Sequence, residues 1–418
     1  MLYLEFSLIF VVGYLAIIFE KFIQVNKAAS AILMAVFLWV FYFWQIPAHA
    51  MAIEAMGEHL SGVAQIIFFL LAAMAIVELI DSHGGFKLIT DSLSTSSKRK
   101  MLWFLAIISF FMSSVLDNLT SMIVMISLLR KLFTDREERW LFGSVIVIAV
   151  NAGGAWTPIG DVTTTLLWIH EKISTWQTIK TLFLPSVVNM VVATALAMTC
   201  IKGRRKKETI KATQLMEPGA KGVLSMGVFA LVMIPVWKGV FGLPPFMGAL
   251  FGLGLLWLAT DLMHFSYGEK RSHLRLPHVL SRIDVSGVLF FLGILLAIDA
   301  LAQVGILKDI AIFFEKMLPN QNYVAVLIGL ISSIVDNIPL VAATIGMYDP
   351  ITFPKDSSLW QLIAYAAGTG GSILIIGSAA GVAFMGIEKV DFLWYCKRMS
   401  WIALASYFAG IFVYFLSF

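Results

Sequence analysis

The chain has 418 residues, 59% of them hydrophobic and 13% charged, with a formal net charge of +4; its mean hydropathy is +0.88. A soluble globular domain has about 45–50% apolar and about 25% charged residues, so this composition excludes one and indicates a polytopic membrane protein. The small net charge gives no argument for a nucleic-acid partner, and two cysteines at ends of apolar segments, Cys200 and Cys396, argue against a disulfide framework and read as small membrane-buried residues.

Apolar segments run over 4–19, 29–46, 61–80, 101–133, 140–169, 180–200, 222–241, 245–262, 284–303, 322–347, 359–388 and 399–417. The first carries Glu5 and no basic run before it, so it reads as a retained span rather than a cleaved signal. Short loops rich in Lys and Arg stay in the cytoplasm. The strongest such cluster is Lys202–Lys207, followed by the loop 270–282, Lys98–Lys100, Arg130–Arg139 and Lys397-Arg398.

Segment 101–133 departs from the pattern of simple spans. Basic clusters flank it on both sides, and its two arms of about 15 apolar or small residues fall short of the ~20 that a spanning helix needs. It is expected to be a re-entrant hairpin with Asp117-Asn118 at the tip, inside the phrase Ser113-Ser114-Val115-Leu116-Asp117-Asn118. An aspartate in hydrocarbon is expensive and marks a site. The phrase returns 219 residues later as Ser332-Ser333-Ile334-Val335-Asp336-Asn337, in a segment whose flanks (Pro319-Asn320-Gln321, Asp349, Asp356) read as external. Five crossings separate the two hairpins, an odd number, so they enter from opposite sides. The stretch 305–318, with Lys308, Asp309, Glu315 and Lys316, reads as a surface helix.

A glycine-rich stretch follows each hairpin. Asn151-Ala-Gly153-Gly154 through Pro158, Gly160 and Asp161 matches Gly368-Thr-Gly370-Gly371 through Gly377 and Ser378, 217 residues on. The expected fold class is therefore an all-α polytopic membrane protein with an inverted-topology repeat. The first repeat covers 1–205 (hairpin 101–133, broken helix 140–169), a basic cytoplasmic linker 206–221, and the second repeat 222–418 (hairpin 322–347, broken helix 359–388). That arrangement gives ten crossings and two hairpins, with both termini outside.

Broken helices free backbone carbonyls and amides that must face protein or water, and transporters place ion sites there. The competing reading of the glycines is close helix packing. Asp117, Asn118, Asp336 and Asn337 bring oxygens to the hairpin tips, beside Ser113, Ser114, Thr120, Ser332 and Ser333; Thr157, Thr163, Thr164, Thr369, Ser372 and Ser378 stand on the broken helices. Such an all-oxygen shell suits a hard cation. Asp161 has no acidic twin, because Ser378 stands in its place. A carboxylate that holds either a proton or a metal ion, never both, is the physical core of antiport; the plainer reading of Asp161 is a helix cap. Glu78 and Asp299 form a third acidic pair, read equally as interfacial charge, and His59 and His83 are candidates for a proton path or pH response, read alternatively as solvated loop histidines. His49, His264, His273 and His278 read as loop residues. No zinc spacing, Ser-His-Asp nucleophile or P-loop is legible, so neither enzyme chemistry nor ATP-driven pumping is supported, and no cofactor is expected.

With S-S-x-x-D-N in both halves, N-A-G-G-A-x-T-P-I-G-D-V-T-T and G-T-G-G-S…G-S-A-A-G-V, the chain resembles the NhaD-type sodium/proton antiporters across essentially its whole length. They belong to the ion transporter superfamily, which also holds arsenite-pump membrane subunits and sodium/dicarboxylate symporters. The resemblance implies Asp117, Asn118, Asn151, Asp161, Thr163, Thr164, Ser332, Asp336, Asn337 and Ser378 as functional positions, with Na⁺ (or Li⁺) and H⁺ as the transported ions. It also implies a homodimer, with a scaffold and a transport domain that moves as an elevator in the bacterial inner membrane. One departure is Gln65, where the resemblance expects an acidic residue before Ile66. Two further transport readings compete: sodium-coupled dicarboxylate uptake and arsenite export. No arginine lies in an expected core segment to meet a dicarboxylate, Arg130 standing at a hairpin base. An intramembrane aspartyl protease is the reading from another class, and it leaves the duplication unexplained.

Overall fold

In the computed structural model, which describes residues 2–45, 49–86, 97–201, 216–318 and 320–417, short polar residues open the helices around the expected hairpins. Ser97, Asp117, Asp135 and Asp161 each accept a backbone N–H of the first turn, and so begin the helices Lys98–Leu116 (α4), Asn118–Leu132 (α5), Arg136–Ala155 (α6) and Val162–Ile169 (α7). In the second half Asn320, Asp336 and Ser378 do the same for Gln321–Ile331 (α13), Asn337–Met347 (α14) and Ala379–Glu388 (α16). The helix Ser358–Gly370 (α15) lies between the last two. Capping satisfies N–H groups that have no intrahelical partner. Here it also sets where each helix breaks.

The remaining α-helices of seven residues or more are Leu2–Ile18 (α1), Lys27–Gln45 (α2), His49–Ser82 (α3), Thr175–Thr199 (α8), Ala220–Phe241 (α9), Pro245–His264 (α10), Val285–Val304 (α11), Ile306–Met317 (α12), Phe392–Arg398 (α17) and Ser400–Ser417 (α18). Among the described residues eight helices are long and apolar enough to cross a bilayer. Seven of them, α2, α3, α8, α9, α10, α11 and α18, coincide with expected crossings; the eighth is α4. At 19 residues α4 is longer than the arm expected for the first hairpin, because the helix starts at Lys98 and runs unbroken to the residue before Asp117. The shortness argument therefore holds for the 15-residue α5 alone. The helix α12 has 12 residues, too short to span, with Ile306, Leu307 and Ala311 buried and Lys308 and Asp309 exposed, as a surface helix requires. Most of the basic linker expected over 206–221 lies outside the described residues.

The broken helices form the centre. Residues Phe142 to Ala155 of α6 and Leu359 to Gly370 of α15 are all buried. Glycine explains how neighbours approach them. A Cβ on Gly153 would lie 2.1 Å from the Phe110 carbonyl oxygen, and one on Gly370 would lie 2.0 Å from that of Gly329. Ser113 Oγ donates to the Val150 carbonyl (2.6 Å), and its counterpart Ser332 Oγ donates to the Ala367 carbonyl (3.0 Å). The same contacts thus join α4 to α6 and α13 to α15.

Two acidic clamps then tie the halves together. Glu388, at the end of α16, takes Arg130 Nε at 2.5 Å and Arg139 Nε at 2.8 Å. Glu171, just beyond α7, pairs with Lys355 of the second half and with Lys238 of α9, the latter at 2.6 Å.

Candidate functional site

The chain breaks at residues 117, 156–161, 332–336 and 371–378 leave helix ends converging on one buried region. Asp161, 2% exposed, is its hub. Its Oδ1 accepts the Thr163 N–H (2.9 Å) and hydroxyl (3.0 Å), and its Oδ2 accepts Asn118 Nδ2 (2.8 Å). Asn118 Nδ2 also donates to Asn151 Oδ1 (3.1 Å), and Asn151 Nδ2 donates to Ser372 Oγ (2.8 Å) and Ser378 Oγ (2.9 Å). One hydrogen-bonded set therefore runs from the first hairpin tip through both broken helices. It crosses between the halves at Asn151. Its free lone pairs all belong to carboxylate, amide and hydroxyl oxygens, the donor set of a hard cation.

A cavity of about 290 Å³ reaches this cluster and is lined by Asp117, Asn118 and Asp336. The two tip aspartates differ. Asp117 holds φ 74, ψ 160, a region that only glycine visits freely, and it is buttressed by Thr120, whose N–H and hydroxyl donate to its two oxygens at 2.8 Å each. Strain of this kind costs about 1–3 kcal/mol and persists where the surroundings over-determine it. Asp336 has ordinary angles, φ −50 and ψ 133. Pro339 stands where the first half has Thr120, so both the N–H and the hydroxyl are missing there, and Asp336 accepts the Ile338 N–H at 3.3 Å. Asn337 is buried, yet its Nδ2 has no hydrogen-bond partner among the described residues. The counterparts of Asn151 and Asp161 are Gly368 and Ser378, so the acceptors that Asn118 finds are absent for Asn337.

Several of the expected supporting hydroxyls serve the backbone. Thr157 Oγ1 donates to Ser114 O (2.7 Å), Ser114 Oγ to Phe111 O, Ser333 Oγ to Leu330 O and Thr369 Oγ1 to Tyr365 O. Thr164 Oγ1 donates to Asp161 O at 2.8 Å. These hydroxyls brace the breaks, whereas Thr163 touches the Asp161 carboxylate directly and Ser378 joins the set through Asn151.

The four groups expected on a proton path stand apart from the cluster. His59 Nδ1 lies 3.5 Å from Asp299 Oδ1, and both line a second cavity of about 350 Å³ with His170, a residue that sequence reasoning passed over. Glu78 lies 3.9 Å from Arg282. The reading of His83 and His264 as loop residues is overturned. Both are fully buried at helix ends, with their Nε2 atoms 2.9 Å apart, and His83 Nδ1 donates to the Leu79 carbonyl at 2.7 Å. Stacking of the two rings excludes water from what looked like polar loop ends. Of the cysteines, Cys200 is exposed at the end of α8 and Cys396, within α17, is half-buried.

Comparison with known proteins follows the same lines. The citrate transporter family model matches residues 14–368. Sodium/proton antiporter 1 of Arabidopsis thaliana is 53% identical over 412 residues, 98% of this chain and 71% of the relative. Sodium/proton antiporter 2 of the same plant is 51% identical, covering 98% of both chains. The Na⁺/H⁺ antiporter NhaD of Vibrio cholerae serotype O1 is 28% identical over 93% of this chain and 87% of its own.

Proposed function

The chain belongs to the citrate transporter family, as an integral multi-pass membrane transporter and not an enzyme, and we propose that within that family it exchanges cytoplasmic Na⁺, or Li⁺, for external H⁺. The observation that carries this reading is the cross-half cluster of Asp161, Asn118, Asn151, Ser372 and Ser378, adjoined by Asp117 and Asp336 on one cavity. Sodium and protons compete for the three carboxylates. The hydroxyls and amides of Thr163, Asn118, Asn337 and Ser378 complete a shell around whichever cation is held. No residue needs a cofactor for that chemistry.

The repeat is proposed to be inverted, with domain limits 1–205 and 222–418. Contacts between residues assigned by charge to the same side support it: Glu78 with Arg282 and Arg130 with Glu388 inside, His59 with Asp299 and Glu171 with Lys355 outside. On that orientation the cavity at the Asp117 and Asp336 tips, whose lining includes Asn26, Asp284 and Ser286 beside the basic loop 270–282, faces the cytoplasm. The His59–His170–Asp299 cavity faces outward and would deliver protons. The two hairpins and two broken helices, locked by the Glu171 and Glu388 clamps, are proposed to move as one elevator body against a dimeric scaffold. The proposed location is a bacterial cytoplasmic membrane, supported by the bacterial relatives and opposed by the nearer identity of the plant ones.

The test uses everted vesicles with an acid-inside gradient read by a pH-sensitive dye. Na⁺ or Li⁺ dissipates the gradient, and Asp161→Asn and Asp117→Asn lose the response. No response from about pH 6.5 to about 9, with the protein well inserted, sinks the exchange reading. The family's description favours one second reading, uptake of a carboxylate. Against it, the cavity lining carries Glu20, Asp117, Asp284 and Asp336, and Lys27 is the one cation among the described lining residues. Labelled citrate, then succinate and arsenite, are the next substrates.

A further inference from the structure

The carboxylate of Asp336 is the least satisfied of the site's three. Thr120 holds both oxygens of Asp117, and Thr163 with Asn118 holds both of Asp161, while Asp336 has the Ile338 N–H on Oδ1. What approaches its Oδ2 is the ammonium of Lys27, at 3.9 Å. Lys27 is the first residue of α2. The helix start is fixed from two sides: Asn26 Oδ1 accepts the Ala28 N–H and the Ser286 hydroxyl, and Glu20 Oε1 accepts the Lys27 N–H. The ammonium itself rests 4.4 Å over the Phe290 ring of α11. Ring and carboxylate together hold a partly exposed cation where the cavity meets the second hairpin tip. Other ionisable groups facing this place are Glu20, Asp117, Asp284 and the Tyr14 hydroxyl beside Asp336.

We propose that Lys27 is a tethered cation that occupies the Asp336 carboxylate when neither Na⁺ nor a proton does, and that it sets the apparent sodium affinity by competing for it. The inference rests on the exchange reading above and assigns a residue to it. The competition has a second effect. Lys27 belongs to α2, which packs on α1 and α11, whereas Asp336 belongs to the tip of the second hairpin. An empty, ionised Asp336 is pulled to the ammonium, and a loaded one is released. The bridge restrains the unloaded hairpin and not the loaded one, which is what coupled exchange requires of an empty carrier.

The experiment measures binding of radioactive sodium to the purified protein at fixed alkaline pH, so transport itself need not survive the substitution. Lys27→Gln should lower the half-saturating Na⁺ concentration about three- to tenfold, a coupling usual for side chains in contact, and Lys27→Arg should stay near the unsubstituted protein. In an Asp336→Asn background Lys27→Gln should have no further effect. Unchanged or weaker Na⁺ binding in folded Lys27→Gln overturns the proposal, as does an equal gain in Lys27→Arg or an effect that persists without Asp336. Should Lys27→Gln not fold, Lys27→Met keeps the stem over Phe290 and is judged by the same outcomes. Failure of the unsubstituted protein to bind Na⁺ at all strikes the exchange reading instead.

Discussion

The two hairpin tips carry the same four polar residues, Ser-Ser and Asp-Asn, in two different states. At the first tip Asp117 is strained and doubly held by Thr120, and Asn118 spends its amide on Asn151 and Asp161. At the second, Asp336 is relaxed and thinly held, and Asn337 has an amide without a partner among the described residues. The difference comes from three substitutions in the repeat: Pro339 for Thr120, Gly368 for Asn151 and Ser378 for Asp161. The two tips share a frame, and the three differences leave one carboxylate doubly held and the other thinly held. A cation site needs both, a fixed set of oxygens and a place that opens.

The frame is the part that should behave alike in the two halves. Gly153→Ala and Gly370→Ala each drive a Cβ into a backbone carbonyl, and each should cost about 1–3 kcal/mol or more by overpacking. The expected result is loss of folded protein in detergent for both, read by melting and gel filtration. Tolerance of either one alone breaks the idea of a shared frame. The tips should behave oppositely. Asp117→Gly removes a cap at a cost of roughly a few tenths of a kcal/mol and relieves strain of about 1–3 kcal/mol, so the melting temperature should hold or rise. Asp336→Gly removes a cap and adds unfolded-state entropy with no strain to relieve, so the melting temperature should fall. Both should lose exchange. A matching fall in the two would mean that the Asp117 backbone stores nothing.

The smallest effects belong to the clamps. The Glu388 side chain is 2% exposed and held by two guanidinium groups, whereas that of Glu171 is 56% exposed. Glu388→Gln should therefore destabilise more than Glu171→Gln, whose effect should stay within the ~0–1 kcal/mol of surface pairs. Burial pushes the Glu171 carboxyl up, but the hydrogen bonds of Lys238 and Lys355 outweigh it and hold it below the usual glutamate range. A depressed carboxyl stabilises the fold above its unfolded value of about 4.3 and gives that up as pH falls through the folded value. The Glu171→Gln difference in melting should thus shrink in acid and be complete at neutral pH.

The sequence carried the positions of the breaks and of the oxygen-bearing side chains beside them. Asp-Asn pairs in apolar runs and paired glycines are costly in lipid, and such costs are visible one residue at a time. Side-chain partnerships over long separations were not visible in the same way. Nothing in the order of residues joins His83 to His264, or Lys27 to Asp336, because both depend on which helices pack. The arm length of α4 escaped for a local reason: Lys98–Lys100 count as loop by hydropathy but are helical under the Ser97 cap. His170 and Lys238 carry no sequence signal, and only the packing of distant helices brings them to a cavity and to Glu171.

The clamps also bear on how the chain is made. Arg130 and Glu388 are 258 residues apart, and Lys355 follows Glu171 by 184. At a synthesis rate of about 5–20 residues per second, the first half would wait on the order of ten seconds to a minute with these charges unpaired. During that interval the Asn151 amide lacks Ser372 and Ser378, the two hydroxyls it donates to across the halves. Assembly of the site is therefore a late event, completed when the last two broken segments arrive, and a ribosome stall or truncation before residue 388 would leave an inserted half with open, ionised ends for quality control to recognise.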